Sequence, residues 1–301
     1  MIMGKINNII IFLSFVGLWL TSFISGEFEI LIGFFLIFSF GILHGSNDIL
    51  LIESFTFKKS NYTFSKILTI YLLVVLLAVV VFFYIPIVAL LLFIVFSAFH
   101  FGEQHWEHQN LEIGTYAKMS FYFIYGNFIL LLLFIFNKSE VLEVIKSITD
   151  YNLSKTMITY SFIANSIALG IYIILLILKS QSFKKQIFKE LFFLLIFAII
   201  FKVSTLIWGF TIYFIFWHSI PSLFEQVSFI YGDYNTKNIL KYCKNALPYW
   251  IISLIGIAIV YFIFKNEKIF YALFFSFIAA VTFPHSIVIN TMFKNKKTQS
   301  N

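Results

Sequence analysis

The chain has 301 residues, of which 60% are hydrophobic and only 12% charged, with a mean hydropathy of +0.94; soluble domains carry about 25% charge. This composition excludes a soluble globular enzyme and a disordered chain, and the alternation of a membrane β-barrel is absent. The formal charge of +7 comes entirely from lysines set in short segments between apolar runs, a pattern of membrane topology and not of nucleic-acid binding.

Apolar stretches of about 16 to 25 residues recur along the chain, long enough to cross a hydrocarbon core at about 1.5 Å per residue. In chain order they predict helices over 8–25, 28–52, 64–84, 86–102, 115–136, 155–178, 186–201, 204–224, 247–265 and 268–293. The expected fold is therefore all-α, a polytopic integral membrane helix bundle of about ten transmembrane helices in a single transmembrane domain over 1–301. The first run lacks a small-residue cleavage site and reads as an uncleaved span. Residues 186–224 as one helix would be about 58 Å long, nearly twice the hydrocarbon thickness, so they are cut at Lys202. Cys243 stands alone, which rules out an intramolecular disulfide and a cysteine zinc cluster.

Most of the 21 lysines, among them Lys58, Lys59, Lys184, Lys185, Lys294 and Lys296, fall on the side of the N-terminus. The positive-inside rule then places both termini in the cytoplasm of a multi-pass protein of the cell (inner or plasma) membrane.

Four of the six histidines sit inside apolar runs: His44, His100, His218 and His285. All four lie on even-numbered predicted helices, which run in the same direction, at roughly 21 to 26 Å from their starts by helix rise. A lone imidazole in hydrocarbon commonly hydrogen-bonds a neighbouring helix, but four at one depth point to a shared occupant, a metal ion. An all-imidazole set suits Fe(II), Cu or Zn. Asp48, one turn after His44, is placed to orient that ring from behind, and Glu103 and Gln104 stand in the same relation to His100. His105 and His108 flank Trp106 at a helix end, where an interfacial belt is the simplest account.

The sequence around these histidines resembles the Brp/Blh family of bacterial and archaeal β-carotene 15,15'-dioxygenases. His44-Gly45-Ser46-Asn47-Asp48 matches the family's H-G-x-x-D, His100-Phe101-Gly102 the start of H-F-G-x-x-D, Trp217-His218-Ser219 the start of W-H-S-x-x-H, and Pro284-His285 a late P-H. The resemblance implies an integral membrane enzyme that uses Fe(2+) and O2 to split the central double bond of β-carotene into two molecules of retinal, often for a rhodopsin. It also implies His44, His100 and His218 as iron ligands and a carotenoid reaching the site from membrane lipid. The chain departs from the pattern twice. Ser222 stands where W-H-S-x-x-H ends in histidine, and His105 where H-F-G-x-x-D ends in aspartate. A hydroxyl replaces imidazole poorly at iron, so His285 or His105 is expected to complete the ligand set. For His105, five residues after His100, that requires a break in the helix near Gly102.

Two other classes compete. A transition-metal transporter would also carry intramembrane histidines, but as a relay across the membrane and not at one depth. A non-catalytic carotenoid- or retinal-binding protein is compatible with the Ser222 departure. A retinylidene opsin is disfavoured because the last predicted helix offers no mid-membrane lysine for a Schiff base; Lys294 lies at its end.

Overall fold

The structure, a computed structural model, describes residues 2–56, 64–107, 109, 111–264 and 270–300. Its regular structure among the described residues is all helical, without a strand. The elements are α1 (Ile2–Thr21), α2 (Gly26–Leu36) running into a π-helical segment (Ile37–Gly41), α3 (Asp48–Thr56), α4 (Phe64–Tyr84), α5 (Pro86–Trp106), α6 (Thr115–Phe136) and α7 (Lys138–Thr149). There follow α8 (Lys155–Lys179), α9 (Gln181–Val203), α10 (Leu206–Ile212) running into a second π-helical segment (Tyr213–Ser219), α11 (Ile220–Tyr231), α12 (Thr236–Phe264) and α13 (Phe270–Ser300).

Several boundaries follow from local chemistry. α5 starts at Pro86, whose missing N–H and fixed φ suit a first helical turn. Ser154, Ser180 and Thr205 each accept a backbone N–H three residues on, capping α8, α9 and α10. The expected cut at Lys202 falls one residue early, with α9 ending at Val203 and α10 capped by Thr205.

Other boundaries differ from expectation. The predicted helix over 28–52 is broken: the π segment ends at Gly41, and His44–Asn47 form a turn before α3. The depth of His44 counted along one continuous helix therefore does not hold. The interval after α6 carries the amphipathic α7, and α12 begins at Thr236, well before 247, taking Pro248 into its interior.

Five helices among the described residues are long and apolar enough to cross a membrane: Pro86–Trp106, Thr115–Phe136, Lys155–Lys179, Leu206–Tyr231 and Ser276–Asn295. Ile6–Thr21 and Leu68–Tyr84 are apolar but shorter. α9 is long enough, yet Lys184, Lys185, Lys189, Glu190 and Lys202 load it with charge.

The helices pack as two compact units. The first comprises Met1–Leu36, Ser97–Lys146 and Asn152–His218. Here α6 packs on α8, α9 and α10, α2 on α10, and α1 on α9, around the buried side chains of Tyr125, Ile129, Phe197, Ile200 and Phe201. The end of α5 crosses α6 at backbone contact: a Cβ on Gly102 would lie 1.8 Å from the Tyr122 carbonyl oxygen, and one on Gly126 1.8 Å from that of Ala98. Only residues without a side chain permit this approach. Asn127 Nδ2 donates to Asn165 Oδ1 at 2.9 Å, a polar tie between α6 and α8.

The second unit comprises Ile37–Phe96, Ser147–Tyr151 and Ser219–Asn301. In it α13 packs on α3 and α4, and α11 on α3 and α12. One apolar cluster gathers Leu51, Val288, Ile289, Met292 and Phe293, and another Phe82, Ala89 and Ala279. Trp250 Nε1 donates to the Ser39 carbonyl at 2.7 Å, joining α12 to the first π segment.

Candidate metal centre

Each unit contains one pair of buried histidines. In the first, His100 on α5 and His218 in the second π segment stand edge to face, ring centroids 4.8 Å apart. Both are almost fully buried. The Gln104 amide, one turn beyond His100, donates to the His218 carbonyl at 2.8 Å and so ties α5 to the π segment. Phe101 packs edge-on against the His218 ring at 4.7 Å, and Phe214 lies nearly parallel to it at 5.3 Å. A π-helical turn widens the backbone by one residue and re-aims the side chains it carries, which is why such turns recur at functional sites.

In the second unit, His44 and His285 form an equivalent edge-to-face pair at 4.8 Å. Each offers a ligand nitrogen within 4.8 Å of the other's. His44 lies in the turn just after the first π segment, so both pairs draw one ring from a departure from α-helical geometry. The one-turn spacing suggested His44 as the partner of Asp48. The turn at 44–47 takes it off that face, and its Oδ1 instead lies 2.7 Å from His285 Nδ1. A carboxylate beside one ring nitrogen is how metal-binding imidazoles are commonly oriented, the other nitrogen being the one turned to the metal. The Tyr71 hydroxyl donates to the other oxygen, Oδ2, at 3.1 Å.

A further network braces the backbone of His44. The Tyr242 hydroxyl lies 2.9 Å from the His44 carbonyl and 2.6 Å from Gln226 Oε1. The Gln226 amide nitrogen donates to Ser222 Oγ at 3.1 Å, and Asn47 Nδ2 donates to the Tyr242 carbonyl at 2.9 Å. Ser222, which occupies the position of an expected histidine, thus belongs to a buried polar chain ending at His44.

Glu103 is buried on α5. His105 faces away from the His100–His218 pair: its Nε2 lies 2.6 Å from Glu190 Oε2 and 3.2 Å from the Tyr125 hydroxyl. α5 continues unbroken through Gly102 to Trp106, so the helix break that a ligand role for His105 requires is not there. His108 lies outside the described residues. Tyr71, Glu190, Gln226 and Tyr242 escaped sequence reading. Each is a single polar group in an apolar or interfacial stretch, with its partner far along the chain.

Each pair offers buried imidazoles, a donor type that suits a divalent transition metal, and in the second unit one ring meets a carboxylate. The Tyr71 hydroxyl tests this arrangement without any metal. Tyr71→Phe removes a donor from a nearly fully buried carboxylate, and the expected cost is about 1–3 kcal/mol. The melting temperature of the metal-free protein in detergent measures it.

No curated protein and no solved structure matches the chain. A family model described as Beta-carotene 15,15'-dioxygenase matches residues 35–293, a stretch that includes His44, His100, His218 and His285, and the chain belongs to that family.

Proposed function

We propose that the chain is an iron-dependent membrane enzyme that uses O2 to cleave the central double bond of β-carotene into two molecules of retinal, with His44, His100, His218 and His285 holding Fe(2+). The observation that carries this reading is the pairing of the four histidines, two within each unit, in a chain of the carotene dioxygenase family. About ten membrane passes, cytoplasmic termini in the cell membrane, and delivery of retinal to a rhodopsin belong to the same reading. A hydrophobic polyene partitions into lipid, so an intramembrane site entered laterally suits it.

Iron, when bound, supplies the one-electron chemistry that lets O2 react with a closed-shell polyene. The residues of the chain then hold and shield. Asp48 keeps the Nδ1 proton of His285 and leaves Nε2 for the metal, and Tyr71 fixes Asp48 in turn. Gln104 and Tyr242 restrain the backbone carbonyls of His218 and His44. Phe101 and Phe214 keep water from the His218 ring and present apolar faces to a conjugated chain. Each carbon of the cleaved bond receives one atom of O2, giving two aldehydes. No proton is gained or lost overall, so the reaction calls for no acid or base beyond the ligands.

Ser222 favours a second reading, a descendant that binds carotenoid or retinal without cleaving it. Expression in a β-carotene-producing bacterium separates the two. The expected result is loss of colour, with close to two retinals gained per carotene lost. Retained colour with pigment co-purifying on the protein would overturn the enzyme reading in favour of binding, and metal accumulation without either would overturn it in favour of transport.

A further inference from the structure

We propose that His105 is a positioning residue and not an iron ligand: with Glu190 and Tyr125 it forms a part-buried latch that locks the last turn of α5, and with it His100 and Gln104, in register. This rests on the iron reading above for its metal arm only. Along an unbroken helix, residues 100 and 105 point about 140° apart. His100 and Gln104, four residues apart, share the face that meets His218, while His105 meets α6 and α9 on another.

The latch is specific in its contacts. His105 Nε2 lies 2.6 Å from Glu190 Oε2, within hydrogen-bond distance. The His105 ring stacks on Tyr125 with centroids 4.9 Å apart and planes 30° from parallel, and the Tyr125 hydroxyl reaches the same nitrogen at 3.2 Å. Glu190 is nearly fully buried on α9. Between Gly102, pressed on the Tyr122 backbone, and this pair, the end of α5 is pinned twice within one turn.

The chemistry also explains the departure at this position. Glu190 turns a carboxylate oxygen toward position 105, and an imidazole there can donate to it, whereas an ionised carboxylate can only accept. An aspartate at 105 would set two carboxylates side by side in a low-dielectric interior. Residues 105 and 190 are therefore coupled: exchange of either one alone weakens the latch, and reversal of the pair restores it.

The test compares the wild type with His105→Ala, His105→Asp, Glu190→Gln and the reversal His105→Glu with Glu190→His, each purified in detergent. Two quantities are read: melting of the metal-free protein, and iron retained per chain during titration with a chelator. His105→Asp is expected to lower the melting temperature and to weaken iron retention by about tenfold or more. His105→Ala and Glu190→Gln should retain iron stoichiometry with weaker affinity, and the reversal should restore both quantities. Loss of iron in His105→Ala and in the reversal, with metal-free melting unchanged, would make His105 a ligand and overturn the proposal. So would a His105→Asp variant as stable as the wild type. If the wild type itself holds no iron, the iron reading fails, while the melting of the metal-free variants still decides the latch.

Discussion

Gly102→Ala, the addition of one methyl group, is expected to prevent recovery of folded protein. In an ordinary helix the exchange stabilises by up to about 1 kcal/mol, because alanine restricts the unfolded backbone. At Gly102 the sign reverses, since the new Cβ would fall 1.8 Å from the Tyr122 carbonyl oxygen and 2.6 Å from its carbonyl carbon. The obstruction is backbone, not the end of a flexible side chain, so no rotamer change relieves it. α5 and α6 must move apart, beyond the roughly 1–3 kcal/mol typical of an overpacked core. Gly126 faces Ala98 at the same crossing, and Gly126→Ala should fail in the same way. Gly170, on α8, is the control: among the described residues, and apart from its chain neighbours and its own helix backbone, no heavy atom lies within 4 Å of a Cβ built there, and Gly170→Ala should melt at or above the wild-type temperature. Yield of monodisperse protein after detergent extraction, followed by thermal melting, measures all three. Failure at Gly102 would also remove the His100–His218 pair, since separating α5 from α6 shifts the turn that carries His100 and Gln104.

What the sequence disclosed tracks the range of the interactions involved. α4 and α6 start and end where hydropathy places them, because each is one uninterrupted apolar run between polar or proline-bearing segments. α7 was missed because Lys138, Glu140, Glu143 and Lys146 dilute a twelve-residue helix below the density that marks a span. The break at His44 was missed for the opposite reason: the residues on both sides remain apolar, so hydropathy runs on while the backbone turns. The four histidines were legible, since imidazole within long apolar runs is rare enough to stand out. Their supports were not. Asp48 was matched to His44 on its own predicted helix, whereas its partner is His285, 237 residues away. The partner of His105 is Glu190, 85 residues away, and neither periodicity nor spacing joins them. Tyr71 and Tyr242 act through single hydroxyls on rings that otherwise read as packing.

Replacing any one of His44, His100, His218 or His285 by alanine is expected to reduce bound iron and retinal formation to background. Removing an outer partner should only weaken them. The grading follows from what each residue does. In the proposed ligand set, an imidazole lost would take away a bond to the metal, and a methyl group in its place offers no donor. Asp48→Asn retains a hydrogen-bond acceptor toward His285 but removes its charge, and costs of this kind run to about 10- to 100-fold in metal affinity. Tyr71→Phe, one step further out, should cost less than Asp48→Asn, because its hydroxyl touches the carboxylate and not the ring. The same order should appear in retinal formed per minute at limiting iron, with saturating iron rescuing Asp48→Asn and Tyr71→Phe but none of the four histidine variants. A histidine variant rescued by iron would drop that residue from the ligand set. If His285→Ala alone is rescued, the fourth donor lies elsewhere and Ser222, 3.1 Å from the Gln226 amide in the chain that braces His44, becomes the position to restore as Ser222→His. In that event iron capture by the restored variant would show that the departure at 222 had cost the site a ligand.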